Sequence, residues 1–329
     1  MTSSNLPQRR RRSVLIFWFA VLIVLIGVAY TFAWMRLADV VRSRVEGTLA
    51  ALRATGATAD CANHEVHGFP LHFVLDCESI RYADPAGLSE VSTASMRAEA
   101  DIYDPRRIRI RIAEPAVVKA PAVGQLVVHW RKMDGELFPP LGGNAAISVD
   151  GEALVAERAQ AEPMLTVASM HGMARAIGKD AYLDGRFEGL EFGPSMPDLA
   201  ALPPLSGKAD LTVADGAALA LADAGSFRGR SATIRELTLS PSDDASITVK
   251  GSASVDEEGR LDARLKVRLR NPEQLAAAFK LAFPEAGKEI DSAAAMVMMF
   301  GSDPLVPVEI HNGKVTVGFI PLGRIPPLP

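Results

Sequence analysis

The distribution of hydrophobic and charged positions divides the chain into three stretches. Positions 13–35 hold no charged residue, and an apolar run of this length is what an α-helix needs to cross a bilayer. Apolar residues then recur every three or four positions up to Gly56, which predicts a second helical segment over 36–56. From position 57 onward the dominant pattern is strict alternation of apolar and polar residues, which is typical of half-buried β-strands.

The alternating stretches predict an antiparallel sheet. In 108–112 isoleucine alternates with arginine, and in 261–269 leucine, alanine and valine alternate with charged residues. A strand with one apolar and one charged face is typical of an antiparallel sheet that exposes one face to solvent.

Glycine-containing pairs predict where the strands turn. The Asn-Gly pair at 312–313 predicts a two-residue hairpin of type I′, and the acidic segment 256–259 predicts a hairpin between the strands that flank it. The Asp-Gly pairs at 150–151 and 184–185 predict further hairpin turns.

Two helices are predicted late in the chain. The first, over 272–283, has Asn271 as its N-cap and proline at its first position. The second, over 288–300, is rich in methionine. This predicts that its methionines are buried in the core, and an adaptable surface that binds apolar ligands is the alternative. The proline-rich segment near 194–206 is the best candidate for a boundary between two sub-domains. The predicted fold class is mainly β (α+β): a transmembrane helix, a curved antiparallel sheet and two late helices.

A basic cluster before the apolar run predicts the orientation of the span. It consists of Arg9, Arg10, Arg11 and Arg12. The positive-inside rule keeps this end in the cytoplasm. We therefore expect a cytoplasmic tail over 1–12, a membrane helix over 13–35, a juxtamembrane helix over 36–56 and a periplasmic domain over 57–329. A cleaved signal peptide, whose apolar core is typically about 7 to 15 residues, and twin-arginine export are the alternatives.

Composition narrows the class of protein. The chain has 329 residues, 48% of them hydrophobic and 22% charged, with a net charge of −4. These values exclude a chain that is disordered throughout, and the counts of 26 glycines, 22 prolines and two cysteines exclude a collagen and a disulfide-rich scaffold. Without overall basic character, nucleic acid is not expected as a partner.

The two cysteines, Cys61 and Cys77, both lie in the predicted exported part. A hairpin centred on Phe69 places them opposite each other on paired strands, at a separation close to what a disulfide tolerates. Because an oxidising compartment favours the bond, we predict a structural disulfide. The alternative is a metal site that uses the cysteines and the histidines between them: His64, His67 and His72. Since the spacing of these donors fits no zinc-site pattern, no metal is predicted.

The sequence contains no recognisable catalytic motif, neither a nucleophile elbow nor a phosphate-binding loop. No catalytic residue and no cofactor are therefore predicted. One basic stripe stands out: Arg106, Arg107, Arg109 and Arg111. Its alternation with isoleucine predicts the polar face of a sheet, and contact with anionic lipid or an acidic envelope polymer is the functional alternative.

Several local patterns together resemble a known family. They are the basic N-terminus with its single apolar run, Gly-Phe-Pro at 68–70 between the cysteines, Asp-Pro-Arg at 104–106, and the final segment 312–323. This combination resembles the domain-of-unknown-function 2125 family of Gram-negative bacteria over most of the chain. The resemblance implies a membrane-anchored periplasmic protein and supplies no activity and no catalytic residues.

A second similarity is shorter. The hairpin over 251–262 is similar to the C-terminal region of AsmA-like envelope proteins, within a stretch of roughly 80 residues whose pattern is generic to hairpins. This similarity implies curved β-sheets with an apolar channel that holds or moves lipid.

Together these features predict a bitopic inner-membrane protein with a β domain in the periplasm. Its expected function is lipid binding or transfer, or envelope maintenance, because the apolar face of an anchored sheet must be covered by something. Membrane lipid is then the environment of the anchor and also a candidate ligand. The alternative is a structural scaffold that binds envelope proteins through its sheet edges.

Overall fold

The apolar run and the segment after it form one continuous helix, α1 (Gln8–Ala54). The computed structural model describes residues 8–121, 124–140, 144–158, 162–218, 228–318 and 320–328. At 1.5 Å per residue α1 is about 70 Å long, more than twice the hydrocarbon thickness of a bilayer. The chain leaves the helix at Gly56, whose φ of 90° suits a helix C-terminus.

Beyond α1 the described residues form twenty strands, and every pairing between them is antiparallel. The first ten are β1 (Thr58–Ala62), β2 (Glu65–His67), β3 (His72–Cys77), β4 (Ser79–Ala83), β5 (Glu90–Thr93), β6 (Met96–Asp101), β7 (Asp104–Ile112), β8 (Ala116–Ala120), β9 (Gly124–His129) and β10 (Lys132–Phe138). The others are β11 (Ala146–Arg158), β12 (Pro163–Ile177), β13 (Asp180–Phe192), β14 (Leu205–Val213), β15 (Arg230–Ser240), β16 (Ser246–Val255), β17 (Leu261–Arg270), β18 (Leu305–His311), β19 (Lys314–Val317) and β20 (Ile320–Arg324).

These strands form one unclosed sheet that divides at β11. β12 lies along one edge of β11, whereas two strands share its other edge: β10 pairs with residues 146–152 and β9 with residues 155–158. We call β11–β20 the trunk. The first arm runs from β10 through β7, β6 and β3 to β2. The second arm runs from β9 through β8, β5 and β4 to β1.

The predicted fold class is confirmed: the chain is mainly β, with one long N-terminal helix and two late ones. The late helices are α2 (Pro272–Ala282) and α3 (Gly287–Met298), which lie between β17 and β18. As predicted, Asn271 is the N-cap of α2, and its side chain accepts a hydrogen bond from the backbone N–H of Gln274.

Two predicted hairpins are confirmed in the trunk. Asn312 and Gly313 both have positive φ, 49° and 76°, which is the conformation that a type I′ turn requires. In the β16–β17 turn the carboxylate of Asp256 accepts backbone hydrogen bonds from Glu258 and Arg260, at 3.0 and 2.8 Å. Local turn chemistry therefore sets the register of both hairpins.

The turns predicted at the Asp-Gly pairs 150–151 and 184–185 are wrong, because both pairs lie inside continuous strands. Gly151 serves packing instead. A Cβ atom there would lie 2.9 Å from Cγ of Met170 and 3.0 Å from Cδ1 of Leu154, so the missing side chain makes room for two core residues.

The segment near 194–206 connects β13 to β14, and these two strands pair with each other. The sheet therefore continues across the candidate sub-domain boundary. A division of the exported part into two sub-domains stays a prediction.

The best-buried hydrophobic cluster lies where the arms meet the trunk. Its centre is Trp130, in the β9–β10 connection, with Ala116 of the second arm and Leu154 of the trunk. Partly buried residues of all three parts surround it: Ile112, Val128, Met133, Val167 and Met170. This cluster therefore holds the divided sheet together.

Candidate functional site

Beyond the apolar run, one face of α1 packs against the sheet domain. Ala38 is only 5% exposed. Half-buried residues continue the same face towards the helix end: Val41, Val45, Leu49 and Leu52. Near that end Arg53 donates from Nε to the carbonyl of Ala59, at 2.7 Å, and pairs with Asp60 at 3.1 Å. The helix is thus fixed to the edge strand β1.

Aromatic rings join α1 to the turn between β2 and β3. Trp34 stacks on Phe73, with centroids 5.4 Å apart and planes 7° apart. Phe69 and Trp34 form a T-shaped pair with centroids 5.6 Å apart, and the ring of Tyr30 lies 6.0 Å from that of Phe69. The end of the first arm is therefore held against the last turns of the apolar run.

Two hydrogen bonds from α1 hold the same turn. The hydroxyl of Tyr30 donates to the carbonyl of Pro70, and the indole N–H of Trp34 donates to the carbonyl of His72 at 3.3 Å. Since both acceptors are backbone atoms, these contacts fix the path of the turn as well as its side chains.

The predicted disulfide between Cys61 and Cys77 is confirmed, with Cα atoms 5.3 Å apart. The hairpin register from which it was predicted is wrong, because β2 and β3 pair His67 with Val74. Asn63, at a φ of 47°, ends β1 and separates it from β2. Cys61 therefore lies on the second arm and Cys77 on the first, and the bond joins the two arms.

The metal alternative loses its sulfur ligands, because the two cysteines are bonded to each other. His72, Glu99 and Asp101 do lie close enough together to hold a cation. However, the Arg109 guanidinium lies 3.1 Å from Glu99 and 3.2 Å from Asp101. Arg109 supplies the positive charge that these carboxylates need, so we propose no metal there.

Three arginines of the basic stripe pair with carboxylates on the neighbouring strands. These arginines are Arg107, Arg109 and Arg111. Their partners are Glu99, Asp101, Asp134 and Glu136. Arg106 is exposed and forms no ion pair with any residue that the structure describes. Contact of the stripe with anionic lipid or polymer stays a prediction.

Asp76 links three strands of the first arm. It accepts hydrogen bonds from Nε and Nη2 of Arg97, at 2.7 and 2.9 Å, and lies 2.8 Å from Nε2 of His67. The hydrogen bond from Arg97 is the main cause that lowers the pKa of Asp76 from 3.8 to about 2. A carboxyl with a lower pKa in the folded state stabilises the fold above the unfolded pKa. That contribution is lost as the pH falls from about 4 to about 2.

We expect Asp76→Asn to lower the free energy of unfolding at neutral pH by about 1 kcal/mol, a modest value because the side chain is 33% exposed. The variant should also lose less stability than the unmodified protein on acidification through this pH range. Thermal unfolding of the full chain in detergent at several pH values measures both effects. Asp243→Asn, an exposed carboxyl in the β15–β16 turn, is the control. An unchanged pH dependence in Asp76→Asn would contradict the assignment.

One face of the sheet carries an unbroken row of apolar residues through fourteen strands. Directly paired residues share a face, so the register alone defines this first apolar row. From β3 to β20 it contains Phe73, Ala100, Ile108, Leu137, Ile147, Ala174, Leu183, Leu211, Ile234, Gly251, Leu265, Val308, Val317 and Ile320. At about 4.8 Å between strands it is about 60 Å long.

A second apolar row runs beside the first through twelve strands. It contains Leu75, Ala98, Ile110, Gly135, Val149, Gly172, Gly185, Ala209, Leu237, Val249, Val267 and Val306. A bulge in β15 keeps Ile234 and Leu237 on the same face. No member of either row is buried, and Ile147 and Leu237 are 42% and 45% exposed. A completed second layer would bury such residues.

The opposite face of the trunk is polar. Its charges pair across strands, as Arg235 does with Asp210 and Lys208 with Glu236. An open depression of about 670 Å³ lies partly on this face. Small hydroxyl side chains supply much of its lining: Thr212, Ser231, Thr233, Ser252 and Ser254. This depression suits water and polar groups rather than acyl chains.

The predicted burial of the methionine-rich helix is wrong. α2 buries Leu275, which is 4% exposed, but α3 buries none of its residues. Met299 and Phe300, which follow α3, are 85% and 77% exposed. The reason is that α3 packs on α2 rather than on the sheet, so its methionines form part of an exposed apolar surface.

Among the described residues, one helix is long and apolar enough to cross a membrane, and none of its apolar window is buried inside the structure. Fold and surfaces together define a class of protein: a single apolar N-terminal helix joined to a large unclosed antiparallel sheet. The chain belongs to the family of uncharacterized proteins conserved in bacteria that is named DUF2125, whose model matches residues 34–326. This confirms the resemblance seen in the sequence. No curated protein and no solved structure matches the chain, so the AsmA-like similarity is not confirmed.

Proposed function

We propose that the chain is a bitopic inner-membrane protein that binds lipid on the apolar face of its periplasmic sheet and moves it along that face. The observation that carries the proposal is the first apolar row. The row begins at Phe73, which stacks on Trp34 of α1, and none of its members is buried. An acyl chain that left the bilayer beside α1 would therefore meet apolar side chains at every strand.

The packing of α1 supports an anchor that is retained. Trp34, at the end of the apolar run, stacks on Phe73 of the sheet domain, and Ala38, one helical turn further on, is only 5% exposed. Cleavage of a signal peptide after the run would remove Trp34 from its stack on Phe73. The disulfide supports an oxidising compartment for the sheet, and the arginines at 9–12 support a cytoplasmic N-terminus.

The shape of the apolar face suits extended hydrocarbon. Several members of the second apolar row have no side chain or only a methyl group: Gly135, Gly172, Gly185 and Ala209. These positions carry little side-chain volume beside the larger members of the first row, such as Leu137 and Leu183. Each methylene that an acyl chain buries against this face gains about 0.8 kcal/mol, which favours binding without any polar contact.

Photo-crosslinking in living cells tests this proposal. A photoreactive amino acid at Leu237, an exposed member of the second apolar row, should give adducts whose added mass is that of a phospholipid. The same amino acid at Lys266, exposed on the opposite face, is the matched control and should give no lipid adduct. Lipid adducts at both positions, or at neither, would contradict the proposal. Protein adducts at Leu237 would instead favour the scaffold alternative.

A further inference from the structure

The end of the first arm exposes a compact set of apolar side chains. Phe69 and Leu71 in the β2–β3 turn are 51% and 52% exposed, and Tyr103 in the β6–β7 turn is 75% exposed. The two turns are neighbours, because the backbone N–H of Ile102 donates to the carbonyl of Leu71 at 3.0 Å. We call Phe69, Pro70, Leu71 and Tyr103 the tip.

The contacts of the tip with α1 fix its depth relative to the apolar run. Tyr30 and Trp34 touch the β2–β3 turn, and Arg36 is the first charged residue after the run. Arg36 therefore marks where α1 leaves the hydrocarbon, within about one helical turn of Trp34. Tryptophan and tyrosine concentrate at this level of a membrane, among the lipid headgroups.

We infer that the tip is a membrane-contact site, inserted among the headgroups of the leaflet from which α1 emerges. Arg106, which is exposed and forms no ion pair within the described ranges, lies three residues beyond Tyr103 and would meet the lipid phosphates. The partner of the tip is a lipid surface, because the tip lies at the level where the apolar run of α1 ends, and lipid headgroups surround the helix at that level. The inference rests on the proposed anchor, but it requires neither the proposed orientation nor lipid movement along the sheet.

The opposite end of the same domain offers a matched control. Leu88, in the β4–β5 turn, is 63% exposed and thus as apolar and accessible as the residues of the tip. Its turn lies near the C-terminal end of α1, where a Cβ on Gly56 would contact Pro85. The helix rises about 30 Å between Trp34 and Ala54, so Leu88 is expected well outside the bilayer.

Depth-dependent fluorescence quenching tests the site in the full chain. Leu71→Cys, Tyr103→Cys and Leu88→Cys each add one free thiol, because the two native cysteines are bonded to each other. Each variant is labelled with bimane and reconstituted in vesicles of phosphatidylethanolamine and phosphatidylglycerol that carry a spin-labelled lipid. We expect at least threefold stronger quenching at positions 71 and 103 than at 88. Adding Arg106→Gln to Leu71→Cys should weaken quenching in anionic vesicles.

The outcomes separate the inference from the anchor on which it rests. Protein that resists alkaline extraction from the vesicles, yet shows equal quenching at 71, 103 and 88, would overturn the tip contact and leave the anchor intact. Protein that alkaline extraction releases would overturn both. Strong quenching at 71 and 103 with no adducts at Leu237 in cells would support the tip contact and contradict lipid binding along the sheet.

Discussion

Replacing Cys61 and Cys77 together by serine is expected to lower the free energy of unfolding by about 3 kcal/mol. The bond closes a loop with a sequence separation of 16, and a loop of this size corresponds to about that loss of chain entropy in the unfolded state. The native state loses a contact as well, since the two residues are only 9% and 2% exposed. Thermal unfolding of the full chain in detergent, with and without reductant, measures the effect.

The position of the bond predicts which strands lose most local stability in the serine variant. Among the described strands β1 pairs with β4 alone, and the disulfide adds a covalent tie to the first arm beside the short connection to β2. Hydrogen exchange should therefore accelerate most in β1 and β4, and least in the β16–β17 hairpin. Reductant should destabilise the unmodified protein and leave the serine variant unchanged. A serine variant as stable as the oxidised protein would contradict this account.

Sequence patterns predicted the elements whose partners are close in the chain. The Asn-Gly pair at 312–313 and the Asp256 turn fix two-strand hairpins through their own backbone conformation and hydrogen bonds. The alternation over 261–269 identified which side of β17 is apolar. The apolar N-terminal helix was predicted because a single local property, the absence of charge, defines it.

The division of the sheet could not be predicted in this way. Alternation shows that a strand has an apolar face, but it does not say which distant strand lies beside it. β11 illustrates this, since β9, β10 and β12 all pair with it and only the length of the strand allows two partners on one edge. The disulfide was predicted from a mistaken local hairpin, although the bond joins separate arms.

The candidate site was the hardest part to predict for the same reason. Each member of the first apolar row sits in an ordinary alternating strand, and the row exists only through fourteen strands brought into register. The tip likewise depends on a long-range contact, because Trp34 and Phe69 are far apart in sequence. Exposure of α3 was missed because a methionine-rich pattern does not reveal whether a sheet lies against it.

Trp130→Ala is expected to lower the free energy of unfolding by about 3 to 5 kcal/mol, well above the effect expected of Asp76→Asn. Trp130 is 7% exposed and fills the space where both arms meet the trunk, against Ala116 and Leu154. Its indole N–H also donates to the carbonyl of Ile112 at 3.3 Å, so alanine leaves a cavity and also removes this hydrogen bond.

Circular dichroism of the full chain during thermal unfolding in detergent measures this loss, and Trp130→Phe separates its two causes. Phenylalanine keeps most of the volume and loses the hydrogen bond, so we expect only about 1 to 2 kcal/mol. Trp18→Ala, at an exposed position on the apolar part of α1, should leave unfolding of the sheet unchanged. If Trp130→Ala were as stable as Trp18→Ala, the cluster would not be what holds the two arms to the trunk, and the backbone pairing of β9 and β10 with β11 would be sufficient without it.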